Sequence, residues 1–271
     1  MHTIATPTRT ERGPALITGA SSGIGAVFAR KLAARGHDVI LVARRKDRLE
    51  SAADELREEF GVGARAVAAD LSDQSDLERL ETLIRGRPME FLVNNAGFGT
   101  GGKFAAVELA KNLGMLQVHC EAPVRLSYAA VPGMVAAKRG AIINVSSVAG
   151  IVRVPGSTMY CSTKAFLNAF SETLSLELHG TGVRVQALCP GFTYTEFHDT
   201  PEFAEKFDRR SIPKRLWLSA DRVVDMSFQA LERNKVICVT GWKYRLLVAV
   251  SRTGLLKPWI KGIARRAGRQ V

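Results

Sequence analysis

The amino-acid sequence predicts an α/β fold, a doubly wound parallel sheet of about seven strands with helices on both faces. Short runs of Val, Ile and Leu lack strict alternation, which is typical of parallel strands covered on both faces. Longer amphipathic segments separate these runs, as they do in β-α-β units. A glycine-rich turn follows the first run and leads directly into a helix-like segment.

Seven segments fit the strand pattern, in chain order residues 15–18, 38–44, 65–70, 90–95, 141–146, 183–189 and 236–240. Helix-like segments between them include GAVFARKLAARG and KDRLESAADELREEF. Two connections are long, residues 99–112 and 192–219, and both follow the C-terminal ends of strands. Long ordered connections are usually functional, and open parallel sheets bind ligands at that edge.

Length and charge suggest how the chain is organised. Its 271 residues, 46% of them apolar, fit one large α/β domain better than two small ones. The net charge is +12, but the first 240 residues carry only +4, and eight Lys and Arg without any acid follow from Gly241. We expect a disordered extension over residues 1–12, one domain over 13–241 with a lid at 192–219, and a basic amphipathic segment over 242–271.

The cysteines and the N-terminus point to an ordinary reducing compartment. The four cysteines form no C-x-x-C pair, so neither a zinc site nor a disulfide framework is expected. The start of the chain lacks the apolar core of a signal peptide, and no window reaches the about 18 apolar residues of a membrane span. We therefore expect a cytoplasmic protein without a bound metal.

The glycine-rich turn predicts a nucleotide site. In ALITGASSGIGAVFAR, Gly19, Gly23 and Gly25 lie between the first strand and the first helix. Glycine lets backbone N–H groups approach a ligand, and the partial positive charge at the helix N-terminus suits a pyrophosphate. The alternative is a merely structural turn, but this position at the first strand-to-helix junction favours a dinucleotide.

The end of the second strand distinguishes between two dinucleotides. An NAD site usually places a carboxylate there for the ribose hydroxyls, whereas this chain has Arg44 and Arg45. Guanidinium groups suit a phosphate, so the pattern predicts NADP(H) rather than NAD. The alternative is that both arginines are solvated loop charges.

Tyr160 and Lys164 are four residues apart and would share one face of a helix. Taken alone, they could be a buried tyrosine and a lysine that reaches to solvent. A cation about 4 Å from the phenol would lower its pKa by roughly three units from about 10, toward the range where general acid–base catalysis is efficient.

Several motifs in register make the chain resemble the short-chain dehydrogenase/reductase family, whose fold is of the Rossmann type. They are TGASSGIG (18–25), NNAG (94–97), Ser147, YCSTK (160–164) and PGFTYT (190–195), with Ser147 and Tyr160 at the family's usual spacing. The resemblance implies that Tyr160 is the proton donor or acceptor. It also implies that Lys164 lowers the pKa of Tyr160 and binds the nicotinamide ribose, and that Ser147 binds the substrate carbonyl.

The resemblance implies a larger set of cofactor-binding residues. They are Gly19, Ser21, Ser22, Gly23, Ile24 and Gly25 in the turn, Arg44 and Arg45 after the second strand, Asp70, Asn94, Tyr160, Lys164, Thr193 and Thr195. For Thr193 and Thr195 the alternative is an ordinary loop hydroxyl.

Two positions depart from the family pattern. Ser22 stands where many NADP-dependent members have a basic residue, so the phosphate contact would rest on the two arginines. His119 stands where the family usually has a catalytic asparagine that supports a proton relay to the lysine. A histidine can donate and accept, but it can also become charged near neutral pH. We expect it either to serve the relay in neutral form or to be a packing substitution.

The excursion after Pro190 predicts the kind of substrate. Its aromatic residues are Phe192, Tyr194, Phe197, Phe203, Phe207 and Trp217. They suggest a lid over an apolar pocket, with a satellite core as the alternative. We expect a steroid-like, fatty 3-oxoacyl or small aromatic ketone, or the matching alcohol.

The basic tail suggests contact with a membrane surface, with a helix docked on the body as the alternative. Nucleic acid is not expected, because no base-stacking or groove-reading motif accompanies the charge. By resemblance we expect a homodimer or homotetramer formed through the helix that bears Tyr160.

Two functions from different classes remain open. The first is an NADP(H)-dependent carbonyl reductase or alcohol dehydrogenase. The second is a non-catalytic NADP-binding, membrane-associated module that lost efficient turnover at His119. The presence of Ser147, Tyr160 and Lys164 favours the enzyme.

Overall fold

A computed structural model describes residues 12–199 and 212–253. The predicted N-terminal extension, apart from Arg12, lies outside the described residues. So do residues 200–211 of the predicted lid, with Phe203 and Phe207, and residues 254–271 of the predicted basic segment.

The central sheet contains seven parallel strands, and a separate pair contains two more. The strands are β1 (Ala15–Thr18), β2 (Val39–Ala43), β3 (Ala64–Ala68), β4 (Phe91–Asn94), β5 (Gly140–Val145), β6 (Val183–Cys189), the separate pair β7 (Thr193–Tyr194) and β8 (Leu218–Ser219), and β9 (Ile237–Val239). The central order is β3-β2-β1-β4-β5-β6-β9, with every neighbour parallel. The predicted doubly wound sheet of about seven strands is confirmed.

Eight α-helices of the described residues surround this sheet. They are α1 (Gly23–Ala34), α2 (Lys46–Phe60), α3 (Gln74–Arg85), α4 (Leu109–Leu116), α5 (Ala122–Ala136), α6 (Thr158–Glu177), α7 (Ala220–Glu232) and α8 (Trp242–Arg252). One core cluster joins α1, α2 and α7 to the sheet and contains Phe28 and Phe228. A second cluster joins α3 and α5 to the opposite face through Leu77 and Leu126. Both faces of the sheet are therefore covered, as the apolar strand sequences require.

The strand order creates a crevice at the middle of the sheet. The chain moves outward from β1 through β2 to β3, and then returns to the other side of β1 for β4. The connections after β1 and β4 therefore leave in opposite directions. Open α/β sheets bind ligands at this reversal, beyond the carboxyl ends of the strands.

A π-helical turn, Gln117–Glu121, joins α4 to α5 and contains the buried His119. Pro123 follows in the first turn of α5 and has no backbone N–H to offer to the carbonyl of residue 119. A locally wider turn is therefore easily accommodated here, and such turns often occur at functional sites.

The small β7–β8 pair was not expected as a separate feature. Leu218 and Ser219 of β8 pair with Thr193 and Tyr194 of β7, which ties together the two ends of the predicted lid. Helix α8 packs on the body through a third apolar cluster that includes Tyr244. Among the described residues, no helix is long and apolar enough to cross the membrane.

Candidate active site

One cavity of about 1010 Å³ lies at the carboxyl ends of the central strands. It brings together most of the predicted site residues: Gly19, Ser21, Ser22, Gly23, Ile24, Arg44, Arg45, Asp70, Ser147, Tyr160, Lys164, Thr193 and Thr195. The cavity connects the two arginines and the glycine turn with the serine and tyrosine. The sequence places these groups in distant segments, and the strand order brings them to one edge.

Three predicted site residues do not line this cavity. A side chain at Gly25 would collide with the backbone oxygen of Gly19, so Gly25 permits close packing behind the turn. Asn94 is buried, and its Nδ2 donates to Oδ1 of Asn144 at 2.8 Å. Its amide therefore cross-links β4 to β5, and its side chain does not face the cavity. His119 is the third, and its contacts are described below.

The neighbouring residue Asn95 is a site residue that the sequence analysis missed. It lines the cavity, and its Nδ2 donates to the backbone oxygens of Thr18 at 2.9 Å and Gly19 at 3.2 Å. These bonds hold the segment after β4 against the glycine turn after β1. The second asparagine of NNAG was the available signal.

The glycine turn has the backbone conformation that the spacing predicted. Gly19 and Gly23 have φ of 65° and 58°, in the left-handed region that favours glycine. A Cβ at Gly23 would also meet the Cγ2 atom of Thr195 at 3.0 Å. The segment after β6 thus closes directly on the turn, which leaves the first backbone N–H groups of α1 at the cavity.

Charged and polar groups form a network at the arginine end of the cavity. Arg45 Nη2 donates to the hydroxyls of Ser21 at 2.9 Å and Ser22 at 3.0 Å. Arg45 Nη1 also donates to Oε2 of Glu196 at 2.9 Å, and Arg48 Nη1 donates to Oε1 of the same carboxylate at 2.9 Å. These hydrogen bonds lower the pKa of Glu196. Glu196 lies in the aromatic excursion, and it was not among the site residues predicted from the sequence.

Asp70 lies on the same side of the cavity, after β3. Its Oδ1 accepts hydrogen bonds from the backbone N–H of Ser72 at 2.9 Å and from the Ser72 hydroxyl at 2.7 Å. The carboxylate is therefore fixed by its own loop, and it lines the cavity.

Ser147, Tyr160 and Lys164 meet at the other end of the cavity. Ser147 hydrogen-bonds to Tyr160, and its Oγ accepts from the backbone N–H of Ala149 at 3.1 Å. Lys164 is buried, and its Nζ donates to the backbone oxygen of Val145 at 2.8 Å. The β5 end and α6 together position all three side chains.

The expected lowering of the Tyr160 pKa by Lys164 is wrong for this arrangement. Burial raises the pKa of Tyr160 to about 12, although the hydrogen bond with Ser147 opposes the rise. Nζ of Lys164 lies 5.7 Å from the centre of the phenol ring and is engaged with Val145. Burial also lowers the pKa of Lys164 itself to about 8. Loss of solvation therefore sets the direction of the Tyr160 shift.

His119 is held by a directional chain of hydrogen bonds. The backbone N–H of Phe98 donates to His119 Nε2 at 3.0 Å, so Nδ1 carries the ring proton. Nδ1 then donates to the hydroxyl of Thr163 at 3.0 Å, and Thr163 donates to the backbone oxygen of Tyr160 at 3.1 Å. Burial, and secondarily Lys164, hold the pKa of His119 well below its usual value. The chain ends at a backbone carbonyl, an arrangement that fixes position.

The described aromatic residues of the excursion pack against Tyr160 and against one another. Phe197 lines the cavity, with its ring centre 5.9 Å from that of Tyr160. Tyr194 and Trp217 stack at 5.0 Å, and Phe192 packs beside Trp217 at 5.4 Å. The described part of the excursion thus covers Tyr160 and also packs as a satellite core.

Helix α8 clamps the start of this excursion through Tyr244. The Tyr244 hydroxyl accepts from the backbone N–H of Phe192 at 3.0 Å and donates to the backbone oxygen of Leu216 at 2.7 Å. A side chain at Gly191 would overlap the Tyr244 ring. Tyr244 and Leu247 also line the cavity. The docked-helix alternative therefore describes the first part of the basic segment.

Comparison with known proteins agrees with this geometry. The family model described as short chain dehydrogenase matches residues 14–204. A Sphingobium yanoikuyae short-chain dehydrogenase solved with NADPH is 35% identical, with a TM-score of 0.80 over 90% of this chain and 95% of that chain. The bulky-bulky ketone specific alcohol dehydrogenase from Comamonas testosteroni is 33% identical, with a TM-score of 0.75 over 90% and 94%.

A further relative is named for a different substrate. The human very-long-chain 3-oxoacyl-CoA reductase is 34% identical over 186 residues, which is 67% of this chain and 60% of the relative. This chain therefore spans about 60% of the length of the first curated relatives that it matches.

Proposed function

Because this chain belongs to the short-chain dehydrogenase/reductase family, we propose that it is an NADP(H)-dependent oxidoreductase acting on an apolar ketone or secondary alcohol. The observation that carries the proposal is the single cavity that joins Arg44 and Arg45 to Ser147 and Tyr160. A dinucleotide bound in this cavity would extend from the arginines toward the tyrosine.

The residues at the arginine end fit a phosphorylated nucleotide. The left-handed Gly19 and Gly23 leave room for a ligand at the N-terminus of α1, where a pyrophosphate is favoured. Arg44 and Arg45 supply guanidinium groups suited to a 2′-phosphate. Asp70 would lie toward the adenine, and Lys164, Thr193 and Thr195 toward the nicotinamide end. When bound, the nicotinamide ring would supply or accept the hydride.

The residues at the other end fit proton transfer to a carbonyl oxygen. With a pKa of about 12, Tyr160 keeps its proton at neutral pH and can donate it as the carbonyl is reduced. Ser147 hydrogen-bonds to the phenol and would position the same oxygen. Lys164, held by Val145, would keep positive charge near the phenolate that forms.

The substrate side of the cavity favours an apolar molecule. Phe98, Val154, Phe192, Phe197 and Leu247 contribute side chains to the lining. The relatives include a ketone-specific alcohol dehydrogenase and a 3-oxoacyl-CoA reductase. We infer a bulky ketone within this range: steroid-like, fatty 3-oxoacyl or aromatic.

Assembly and location are further parts of the proposal. Leu109 and Leu113 of α4 and Phe166 and Leu176 of α6 are exposed, and these apolar groups support pairing through the helix that bears Tyr160. On α8, Trp242 is 70% exposed, which supports contact with a membrane surface. The proposed location is the cytoplasm, with peripheral contact at a membrane.

The test is a substrate panel with NADPH oxidation followed by absorbance. Bulky steroid, aromatic and 3-oxoacyl ketones should be reduced, and Tyr160→Phe should lower kcat by about 100-fold or more because it removes the acid. Tyr128→Phe is the matched control, since this phenol is 76% exposed on α5. NADPH binding without turnover on any ketone would support the non-catalytic alternative.

A further inference from the structure

The Glu196 carboxylate occupies the arginine end of the cavity in the way that an anionic ligand would. Its Oε2 accepts from Arg45 Nη1 at 2.9 Å, while the same guanidinium donates to Ser21 and Ser22. All four residues line the cavity. The carboxylate and the two serine hydroxyls thus hold Arg45 beside the glycine turn.

We propose that Glu196 is a residue that determines cofactor specificity, because its carboxylate competes with the 2′-phosphate of NADP(H) for Arg45. This inference rests on the proposed function, which places that phosphate at Arg44 and Arg45. A carboxylate and a phosphate both accept hydrogen bonds from the N–H groups of a guanidinium. Two anions sharing those groups also repel each other, so each one weakens the binding of the other.

Arg48 provides the place to which Glu196 can move. Its Nη1 lies 2.9 Å from Oε1 and 3.0 Å from Oε2 of Glu196, so it contacts both carboxylate oxygens. Glu196 can therefore release Arg45 and remain paired with Arg48 on α2. The exchange leaves neither the arginine nor the carboxylate without a partner of opposite charge.

The exposure of the pair sets the expected size of the effect. The Arg45 side chain is 44% exposed and the Glu196 side chain 53% exposed, so solvent screens the attraction. Glu196→Gln keeps a hydrogen-bond acceptor and removes the charge. We expect it to tighten NADPH binding by about two- to fivefold, the range for one exposed ion pair, and to change NADH affinity by less.

The experiment measures Kd by titration calorimetry, without turnover, for the wild type and Glu196→Gln. The probes are NADPH, NADH, adenosine 2′,5′-bisphosphate and adenosine 5′-monophosphate. NADPH differs from NADH, and the bisphosphate from the monophosphate, only by the 2′-phosphate. Glu59→Gln is the control, because it removes the same charge from an exposed ion pair with Arg30 away from the cavity lining. Only the two ligands with a 2′-phosphate should bind more tightly to Glu196→Gln.

A second background shows whether the effect passes through Arg45. In Arg45→Ala, the gain from Glu196→Gln should disappear, since the contested guanidinium is gone. Equal gains for all four probes, no gain, or a gain that persists in Arg45→Ala would each overturn the inference. If wild-type affinity for NADPH does not depend on Arg44 and Arg45 at all, it is the cofactor assignment of the proposed function that fails.

Discussion

The backbone N–H of Phe98 points at Nε2 of His119 from 3.0 Å. An imidazole can accept that bond only while Nε2 is unprotonated, so protonation would set two donors against each other inside the protein. The histidine therefore joins the β4 connection to α6 as a neutral group. This arrangement favours the packing interpretation of His119 over the proton-relay interpretation.

The first prediction concerns stability in acid. His119 stays neutral in the folded protein, whereas an unfolded chain binds a proton there below about pH 6.5. The unfolded state then binds more protons, so this histidine's contribution to stability is lost as pH falls, by up to about 1.4 kcal/mol per pH unit. Urea unfolding between about pH 5 and 7.5 should show this slope relative to His119→Gln.

The control for that measurement is His179→Gln, which changes an exposed histidine. It should keep the wild-type dependence on pH. If the free energy of unfolding depends on pH in the same way for the wild type and His119→Gln, the buried imidazole accepts a proton without cost.

The second prediction concerns stability in alkali. Burial lowers the pKa of Lys164 to about 8, while the unfolded chain keeps this proton to about pH 10.4. Between these values the unfolded state binds more protons, so the contribution of Lys164 to stability rises with pH. Relative to Lys164→Met, the wild type should gain about 2 kcal/mol between about pH 7.5 and 9.5.

The comparison with a variant is needed because two cysteines change stability in the opposite direction as pH rises. The thiols of Cys120 and Cys189 have pKa values raised by burial to about 11 and 12, and both proteins contain them. The difference between the two curves isolates the lysine. A constant difference would show that Lys164 is charged and well solvated in the folded protein.

The third prediction concerns the arginines. Arg44→Ala with Arg45→Ala should weaken NADPH binding by about tenfold or more, because charge-assisted hydrogen bonds to the 2′-phosphate are lost. NADH affinity should change by less than about threefold, since NADH has no such phosphate. Arg57→Ala, which breaks an exposed pair with Asp54 on α2, is the control for loss of positive charge. Equal losses for both nucleotides would contradict the NADP(H) assignment.

The fourth prediction concerns the clamp on the excursion. Gly191→Ala would drive a methyl group into the Tyr244 ring, and we expect a loss of about 1–3 kcal/mol in the free energy of unfolding. Tyr244→Leu should recover part of this loss in the double variant. Gly114→Ala is the control, because its methyl group would meet only ordinary contact with Phe98 in a helix. Additive effects of the two changes at 191 and 244 would argue against the clamp.

Local patterns predicted the central sheet, and most of the predicted site residues line the cavity. Each strand of the central sheet could be predicted because apolar runs mark strands buried on both faces, and β6 has the predicted bounds 183–189. The glycine turn was legible because left-handed φ values call for glycine at Gly19 and Gly23. These signals need only a few neighbouring residues.

The remaining site depends on contacts between distant segments. Arg45 and Glu196 are 151 residues apart, so no local pattern relates them. The Tyr160 pKa was misjudged because burial and the direction of Lys164 depend on the folded pocket. Asn94 and Asn95 are neighbours at the end of β4, and their side chains point in different directions. The sequence does not show which of the two faces the cavity, because that depends on how the strand end is placed in the fold.

The contact between Gly191 and Tyr244 bears on how this protein could be re-engineered. The loop after β6 and helix α8 fit one another ring against backbone, so they form one packing unit although about 50 residues of chain separate them. A loop grafted alone from a relative would lack the helix that packs against it. Exchanging substrate preference would require both pieces to be transplanted together, on an otherwise unchanged nucleotide-binding half.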